Sequence, residues 1–270
     1  MNPALERLAA VSVWAASAAP LWAWWMQRLA EPLGVDLAAW AILGVLILSA
    51  WFRAPAEAYR PAVWKIAAAA AGLAAFHFSR AVLPPTVCGI FCVAAGVPLL
   101  LPDICGKDGA KVPGVAPYIA LALTGLPSAM IMDLLLGIPL RVLATGAAAL
   151  LLDAAGFPVE QRGLELVVAD ASVWVDVPCA GIRMLSSGML AAFVFAALYS
   201  FRWGRTVLLA LLALYAVVAV NVLRVAVLAL FVVFGHTLSS DAHSFVGCAL
   251  LLPAIVFVAG AAHFLGRWRA

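Results

Sequence analysis

Charged residues are scarce in this chain. Only 11% of its 270 residues are Asp, Glu, Lys or Arg, and 67% are hydrophobic, whereas soluble domains carry roughly 25% charged residues. This deficit excludes an ordinary soluble domain. The mean hydropathy is +1.11, and several apolar runs of about 20 residues are typical of transmembrane helices. The sequence therefore predicts an all-α membrane fold, a polytopic bundle of helices.

Other common patterns are missing as well. The five cysteines form neither a CxxC pair nor the spacing of an extracellular disulfide framework, so no metal site or cofactor is predicted. A net charge of only +3 gives no indication of a nucleic-acid partner, and none is predicted. The first apolar segment lacks a convincing cleavage site, and we interpret it as a retained helix. Without internal repeats or linkers, residues 1–270 are predicted to form one integral-membrane domain.

Hydropathy divides the chain into about eight transmembrane helices. The predicted spans cover residues 8–29, 36–52, 62–79, 86–102, 114–138, 179–201, 206–234 and 244–265. Residues 139–156 are apolar but short and rich in Gly and Ala, with Arg141 near the start. We interpret that stretch as an interfacial helix. Pro117 and Pro127 predict a kink in the fifth span.

Residues 157–178 break the helical pattern. Residues 164–168 and 173–177 show the alternation and β-branching of short strands. Open strand edges are not stable in lipid, so this acidic segment is predicted to form a small cap outside the hydrocarbon.

The distribution of basic residues predicts the orientation in the membrane. Placing the N-terminus in the cytoplasm puts ten Lys or Arg residues of the loops and span ends on the cytoplasmic side and four on the opposite side. Short cytoplasmic loops are enriched in Lys and Arg. We therefore expect a multi-pass protein of the cytoplasmic (inner) membrane, with both termini inside and the strand cap on the extracytoplasmic side.

Three candidate catalytic residues fall in the outer halves of consecutive predicted helices: Cys179, Arg224 and His243. Cys179 begins the sixth span, with Arg183 four residues later; Arg224 lies in the seventh. A lone membrane Cys is more often a packed thiol. Arg224, however, lies about 10 residues, or roughly 15 Å, from the outer end of its span, which is far for snorkelling. Charges buried in membrane helices usually have a function.

The sequence near Arg224 and at the start of the eighth span contains the other candidates. Asn221 precedes Arg224 by one turn and either supports it or joins helices by a hydrogen bond. His243 opens the eighth span and is either a helix-cap or loop histidine or an acid/base partner of Cys179. Asp241 either orients His243 or caps the helix. His236, in the preceding loop, is the rival acid/base candidate.

Three motifs resemble those of the exosortase/archaeosortase family of integral-membrane cysteine transpeptidases. They are Cys-Ala-Gly-Ile-Arg at 179–183, Asn-Val-Leu-Arg-Val at 221–225, and His243 with Gly247 one turn later. The resemblance covers about residues 120–265, whereas the first 110 residues match only in being hydrophobic. It implies a catalytic core at 114–270 with a cap at 157–178, after more variable spans at 1–113. It also implies Cys179 as nucleophile, with Arg224 and His243 completing the catalytic centre. From their positions close to these residues in the sequence, we predict supporting roles for Arg183, Asn221 and Asp241.

The resemblance further implies a reaction and its partners. Substrates of such enzymes are exported proteins with a C-terminal tail made of a recognition motif, a transmembrane helix and a basic cluster. The thiol attacks at the motif, forms a thioester and passes the protein to a lipid or glycan acceptor. Two alternatives remain open from the sequence: another intramembrane thiol hydrolase or acyltransferase, and a non-catalytic transporter or assembly factor that binds an anion or a partner helix through Asn221 and Arg224.

Overall fold

The chain is almost entirely helical in the computed structural model, which describes residues 3–28, 35–52, 62–102, 114–126, 132–169, 171–236 and 240–268. Three short strands, β1 (Val159–Arg162), β2 (Glu165–Val168) and β3 (Ala171–Trp174), interrupt the helices. The helices are α1 (Pro3–Ser17), α2 (Ala19–Arg28), α3 (Val35–Phe52), α4 (Val63–Ser79), α5 (Pro85–Leu100), α6 (Val115–Thr124), α7 (Ile138–Ala154), α8 (Ile182–Leu198), α9 (Trp203–Val233) and α10 (Ser240–Arg267).

Within the residues that the structure describes, four segments are long and apolar enough to cross a membrane, or five if the bent pair α1 and α2 forms one span. They are Asp133–Ala154, Val177–Leu198, Trp203–Val233 and His243–Arg267. This confirms the predicted all-α membrane class with a small strand cap. The predicted number of about eight spans is higher, because Ala38–Phe52 of α3 and the helices α4 to α6 are apolar but only 10–17 residues long.

The boundary predicted between the fifth span and the interfacial helix differs from the structure. Helix α6 ends at Thr124, and a π-helical turn at Asp133–Gly137 runs directly into α7, giving one apolar segment of 22 residues. Pro139 lies just after the π-helical turn, a local irregularity of the kind found where a helix accommodates a proline that lacks the N–H. Arg141, whose charge suggested an interfacial helix, forms a hydrogen bond within its own helical segment. Its Nε donates to Gly137 O at 3.2 Å.

The kink predicted from the two prolines of the fifth span stays a prediction. Pro117 lies in the first turn of α6, where an N–H has no intrahelical acceptor. Pro127 lies outside the described residues.

The chain divides into two compact units, Met1–Ser128 with Phe193–Val207, and Ala129–Ala192 with Leu208–Ala270. In the first unit, long side chains satisfy carbonyls at helix ends. Arg7 Nη2 and Lys65 Nζ donate to Leu101 O after α5, at 2.6 and 2.8 Å. The indoles of Trp25 and Trp40 donate to Gly125 O after α6. The prediction of a single domain over residues 1–270 stays a prediction.

The second unit contains the strand cap. Its sheet has the order β1-β2-β3 with antiparallel pairs. Leu166 and Val168 of β2 have no exposed surface and pack with residues of α7 and α9, such as Leu152 and Ala229. On β1, Arg162 hydrogen-bonds Glu160 and lowers the pKa of that exposed carboxyl. The cap is therefore anchored to helices on one side and polar on the other.

Helices α8, α9 and α10 pack within the same unit through a second apolar cluster. Met184 of α8, Val217 of α9 and Ala254 of α10 are all buried there. Gly188 of α8 brings two helices together, because a Cβ at that position would overlap the side chain of Val217. Small residues at such contacts are typical of helix packing in membranes.

Candidate active site

Cys179 lies in a short turn that joins the strand cap to α8. Val177–Ala180 form a 3-10 turn, in which Cys179 N–H donates to Asp176 O at 2.8 Å. The sequence predicted a thiol in the first turn of the transmembrane helix, but α8 begins only at Ile182. Asp176, with an extended backbone, precedes the turn. The sulfur is thus held by a separate loop-like element next to the helix, and Cys179 is 7% exposed.

Gly181 ends this turn and cannot be replaced without strain. Its φ of +76° lies in the left-handed region, which side chains with a Cβ rarely adopt. A Cβ there would also lie 2.6 Å from Asn221 Cγ. The glycine therefore permits both the turn and the close approach of α9.

Asn221 and Arg224, one turn apart on α9, form hydrogen bonds with the 3-10 turn that contains Cys179. Asn221 Nδ2 donates to Cys179 O at 3.0 Å, and Arg224 Nη1 donates to Pro178 O at 3.2 Å. Both side chains are buried, at 4% and 6% exposure. Two consecutive carbonyls of the turn are thus fixed by two side chains of one helix, which restricts the position of the thiol.

Arg224 also contacts α10. Its Nη2 donates to His243 O at 3.5 Å, so one guanidinium links the backbone beside the thiol to the backbone of the imidazole residue. Its described partners are carbonyls and the Met184 sulfur, 3.8 Å away, and not carboxylates. Within the described residues, Arg224 Nε has no hydrogen-bond partner. One buried donor of the cation is therefore left without an acceptor among these residues.

His243 brings an imidazole to the sulfur. The distance from Cys179 Sγ to His243 Nε2 is 3.4 Å, within the range of a hydrogen bond to sulfur. Gly247, one turn further along α10, makes room for this arrangement, because a Cβ there would lie 3.3 Å from Arg224 Nε. The three residues that the sequence singled out on three separate elements thus lie together.

The other sequence candidates are placed less centrally. Arg183 is exposed on α8 and lines the same cavity as Cys179. His236 is exposed after α9, where its ring packs edge-on against Phe231 at 5.9 Å; it does not line that cavity. Of the two histidines, His243 is therefore the one next to the thiol. The side chain of Asp241 lies outside the described part of the structure.

An open cavity of about 580 Å³ gives access to the thiol. Besides Cys179, Arg224 and His243, Trp174 and Asp176 from the cap line it. Sequence reasoning did not select either cap residue, although both lie within five positions of the cysteine. Among the residues described, no group of three or more His, Cys, Asp or Glu is arranged to hold a metal ion. The site offers a thiol, an imidazole and a guanidinium around a space large enough for a peptide segment.

The chain is similar to one known family over most of its length. The model of the transmembrane exosortase family matches residues 24–260 of this chain. No curated protein and no solved structure matches the chain. Because the family model covers most of the sequence, including every residue of the site, this chain belongs to the transmembrane exosortase family.

Proposed function

We propose that this protein is a membrane-embedded cysteine transpeptidase whose nucleophile is Cys179. The observation that carries the proposal is the 3.4 Å contact between Cys179 Sγ and His243 Nε2 at an open cavity. A thiol with an adjacent base is the arrangement that nucleophilic catalysis requires. Membership of the exosortase family supports the same chemistry.

The proposed reaction begins with acylation. His243 accepts the proton of the Cys179 thiol, and the sulfur attacks the carbonyl carbon of a substrate peptide bond. The carbonyl oxygen becomes an oxyanion, which the positive charge of Arg224 at the cavity wall stabilises. The C–N bond then breaks, His243 returns the proton to the leaving amine, and the upstream part of the substrate remains on the sulfur as a thioester.

The second half of the reaction releases the enzyme. A hydroxyl or amine of an envelope lipid or glycan loses its proton to His243 and attacks the thioester carbon. The C–S bond breaks, and the proton returns to the thiolate. The product is a substrate protein joined to the acceptor through its new C-terminus.

The proposed substrates are exported proteins with a C-terminal motif, a transmembrane helix and a basic cluster. The helix of such a tail would lie in the bilayer beside the enzyme and present the motif at the membrane surface. We propose that the cavity faces the extracytoplasmic side of the inner membrane, because the distribution of Lys and Arg predicts that orientation and exported proteins are processed there.

The test uses cells that express Cys179→Ala, with Cys88→Ala as the matched control. Cys88 is a buried thiol of α5 that donates to Leu83 O, so its loss removes a cysteine without touching the site. In Cys179→Ala cells we expect tail-bearing proteins to accumulate uncleaved, whereas Cys88→Ala cells should process them. Normal processing without the Cys179 thiol would refute the proposal.

Mass spectrometry of the mature C-terminus separates transfer from hydrolysis. A lipid or glycan adduct supports the transpeptidase, whereas a free carboxylate would identify a thiol hydrolase. Hydroxylamine provides a second readout, since it cleaves thioesters and should release the substrate as a hydroxamate from the wild-type enzyme.

A further inference from the structure

Strand β3 has one free edge. In its pairing with β2, Val173 lies opposite Leu166 and Ala171 opposite Val168, and Val175 N–H donates to Leu164 O at 2.9 Å. Because hydrogen-bonding direction alternates along a strand, residues 171, 173 and 175 use their backbone groups toward β2. The N–H and C=O groups of Ser172 and Trp174 therefore point away from the sheet.

No described strand covers that edge. The sheet ends at β3 in the order β1-β2-β3, and in the described part of the chain the outward groups of Ser172 and Trp174 have no backbone partner. Both residues are exposed, Trp174 at 57%. Unpaired edges of this kind are templates for another strand. The exposed edge of β3 is therefore able to pair with another extended chain.

The free edge leads directly into the candidate active site. Trp174 and Asp176, which share the outward register with Ser172, line the cavity together with Pro178 and Cys179. The C=O of Asp176 is already used by the N–H of Cys179, so the edge ends where the 3-10 turn begins. An extended chain paired with β3 would run along one wall of the cavity toward the sulfur.

We propose that an extended segment of the substrate pairs with β3 as a fourth strand, using the outward backbone groups of Ser172 and Trp174. Alternating donors and acceptors about 6.6 Å apart match the backbone of another extended peptide, and added strands are a common mode of peptide recognition. This inference rests on the proposed function. The paired segment is the part upstream of the scissile bond, since the downstream part continues into the bilayer and the cap lies outside it.

Backbone pairing would fix the register of the substrate without reading its sequence. Ser172 and Trp174 lie two residues apart, so they contact alternate residues of the added strand. The intervening substrate residues would direct their backbone groups away from β3. Exposed Trp174 adds an aromatic surface at the cavity wall that can cover the peptide.

The first test removes one outward donor. Ser172→Pro lacks the N–H, and proline is tolerated on an edge strand when its N–H position faces outward. Ser172→Ala keeps the N–H but loses the bond from the Ser172 hydroxyl to Glu165. Gln161→Pro is the matched control on the opposite edge, because the β1 register also directs its N–H away from β2.

We expect Ser172→Pro to process tail-bearing proteins about tenfold more slowly than Ser172→Ala, which serves as the reference for loss of the hydroxyl, and Gln161→Pro to remain within about twofold of wild type. Alkylation of Cys179 by iodoacetamide should proceed at the wild-type rate in all three variants, which would show that the site is intact. Wild-type processing by a folded Ser172→Pro enzyme would overturn the proposal. A smaller oligomer of Ser172→Pro in detergent without substrate would overturn it too, since a second copy would then occupy the edge.

The second test does not depend on a variant that folds. The probe is a synthetic peptide covering the residues upstream of the cleavage site, taken from the protein that accumulates uncleaved in Cys179→Ala cells. Single N-methyl groups are placed on successive amides, and each peptide competes for the detergent-solubilised full-length enzyme. Pairing with β3 predicts that methylation weakens competition at every second amide; an effect without that period would contradict the proposal.

The outcomes also separate this inference from the proposed function. If no protein accumulates in Cys179→Ala cells, the proposed chemistry and the substrate strand are both wrong. If proteins accumulate, but the folded proline variant processes them normally or the methylated peptides show no two-residue period, only the strand proposal fails.

Discussion

Two buried arginines in different units of this molecule have different surroundings. Arg7 has no exposed surface; it donates to Leu101 O at 2.6 Å and lies 5.2 Å from the Trp51 ring centroid. Arg224 is almost as buried, but it joins the backbones of two elements and borders a cavity that contains a thiol and an imidazole. Burial of a cation alone therefore does not identify a site. What distinguishes Arg224 is that a thiol, an imidazole and an open cavity lie next to it.

The largest expected difference concerns the two histidines that compete in the sequence. His243→Gln should lower the rate of processing by about 10²- to 10⁴-fold, the usual contribution of a general acid–base. His236→Gln, which changes an exposed ring packed against Phe231, should leave processing near wild type. Pulse-chase analysis of a tail-bearing protein measures both rates. A large loss in His236→Gln with an active His243→Gln would reverse the assignment.

Replacing each buried arginine by lysine tests whether the two side chains have different roles. Lysine keeps the charge, but all of its donors are on one nitrogen atom instead of being spread over a planar guanidinium. Arg224→Lys therefore cannot bind Pro178 O and His243 O in the way that the two terminal nitrogens of Arg224 do. We expect about 10²- to 10³-fold slower processing, as for the loss of an oxyanion donor, with the protein still folded.

Arg7→Lys is the counterpart in the first unit. It should lower the free energy of unfolding by about 1–3 kcal/mol, through the weakened buried hydrogen bond, and leave the rate per folded molecule unchanged. Thermal unfolding in detergent and the processing assay are measured on both variants. A slow but fully stable Arg7→Lys enzyme would show that the contrast between the units is wrong.

A third pair of variants separates backbone strain from contact with the site. Gly181 and Gly235 have the same φ of +76°, but a Cβ meets Asn221 only at Gly181 and meets nothing within 4 Å at Gly235. Both alanine variants should be destabilised by about 1–2 kcal/mol from strain. Only Gly181→Ala should also lose processing, about tenfold or more, because Asn221 must shift from Cys179 O. Equal activity of the two variants would mean that this hydrogen bond does not position the thiol.

The sequence alone predicts the fold class, the strand cap and the main site residues, because each leaves a local pattern. Long apolar runs indicate membrane helices, and alternating β-branched residues indicate the cap. A charge such as Arg224 in the middle of a span is costly enough to indicate a function. His243 could be chosen over His236 only by its position at the start of a helix, and the sequence left both open.

What the sequence could not give depends on contacts between distant residues or on local backbone geometry. The boundary near Pro139 was misplaced because Arg141 is satisfied by Gly137 O in its own helix, which no hydropathy pattern reveals. The turn before α8 ends at Gly181, which has a left-handed backbone conformation. A larger residue there would also collide with Asn221, forty residues later in the sequence. Trp174 belongs to the cavity only because the cap folds back beside the thiol.

The smallest expected effect concerns a third arginine, Arg162, whose exposed ion pair with Glu160 contrasts with the carbonyl-bound Arg224. The hydrogen bond from Arg162 lowers the pKa of Glu160 below its ordinary value of 4.5. The pair therefore stabilises the fold above about pH 4.5, and this contribution is lost as the pH falls through the lower folded-state value. Because both side chains are 61% exposed, the effect should be small and weakened by salt. Glu160→Gln should thus unfold at nearly the wild-type temperature at pH 7, with any difference shrinking as the pH falls below 4.5; a difference that grows toward acid would have the opposite sign and refute this account.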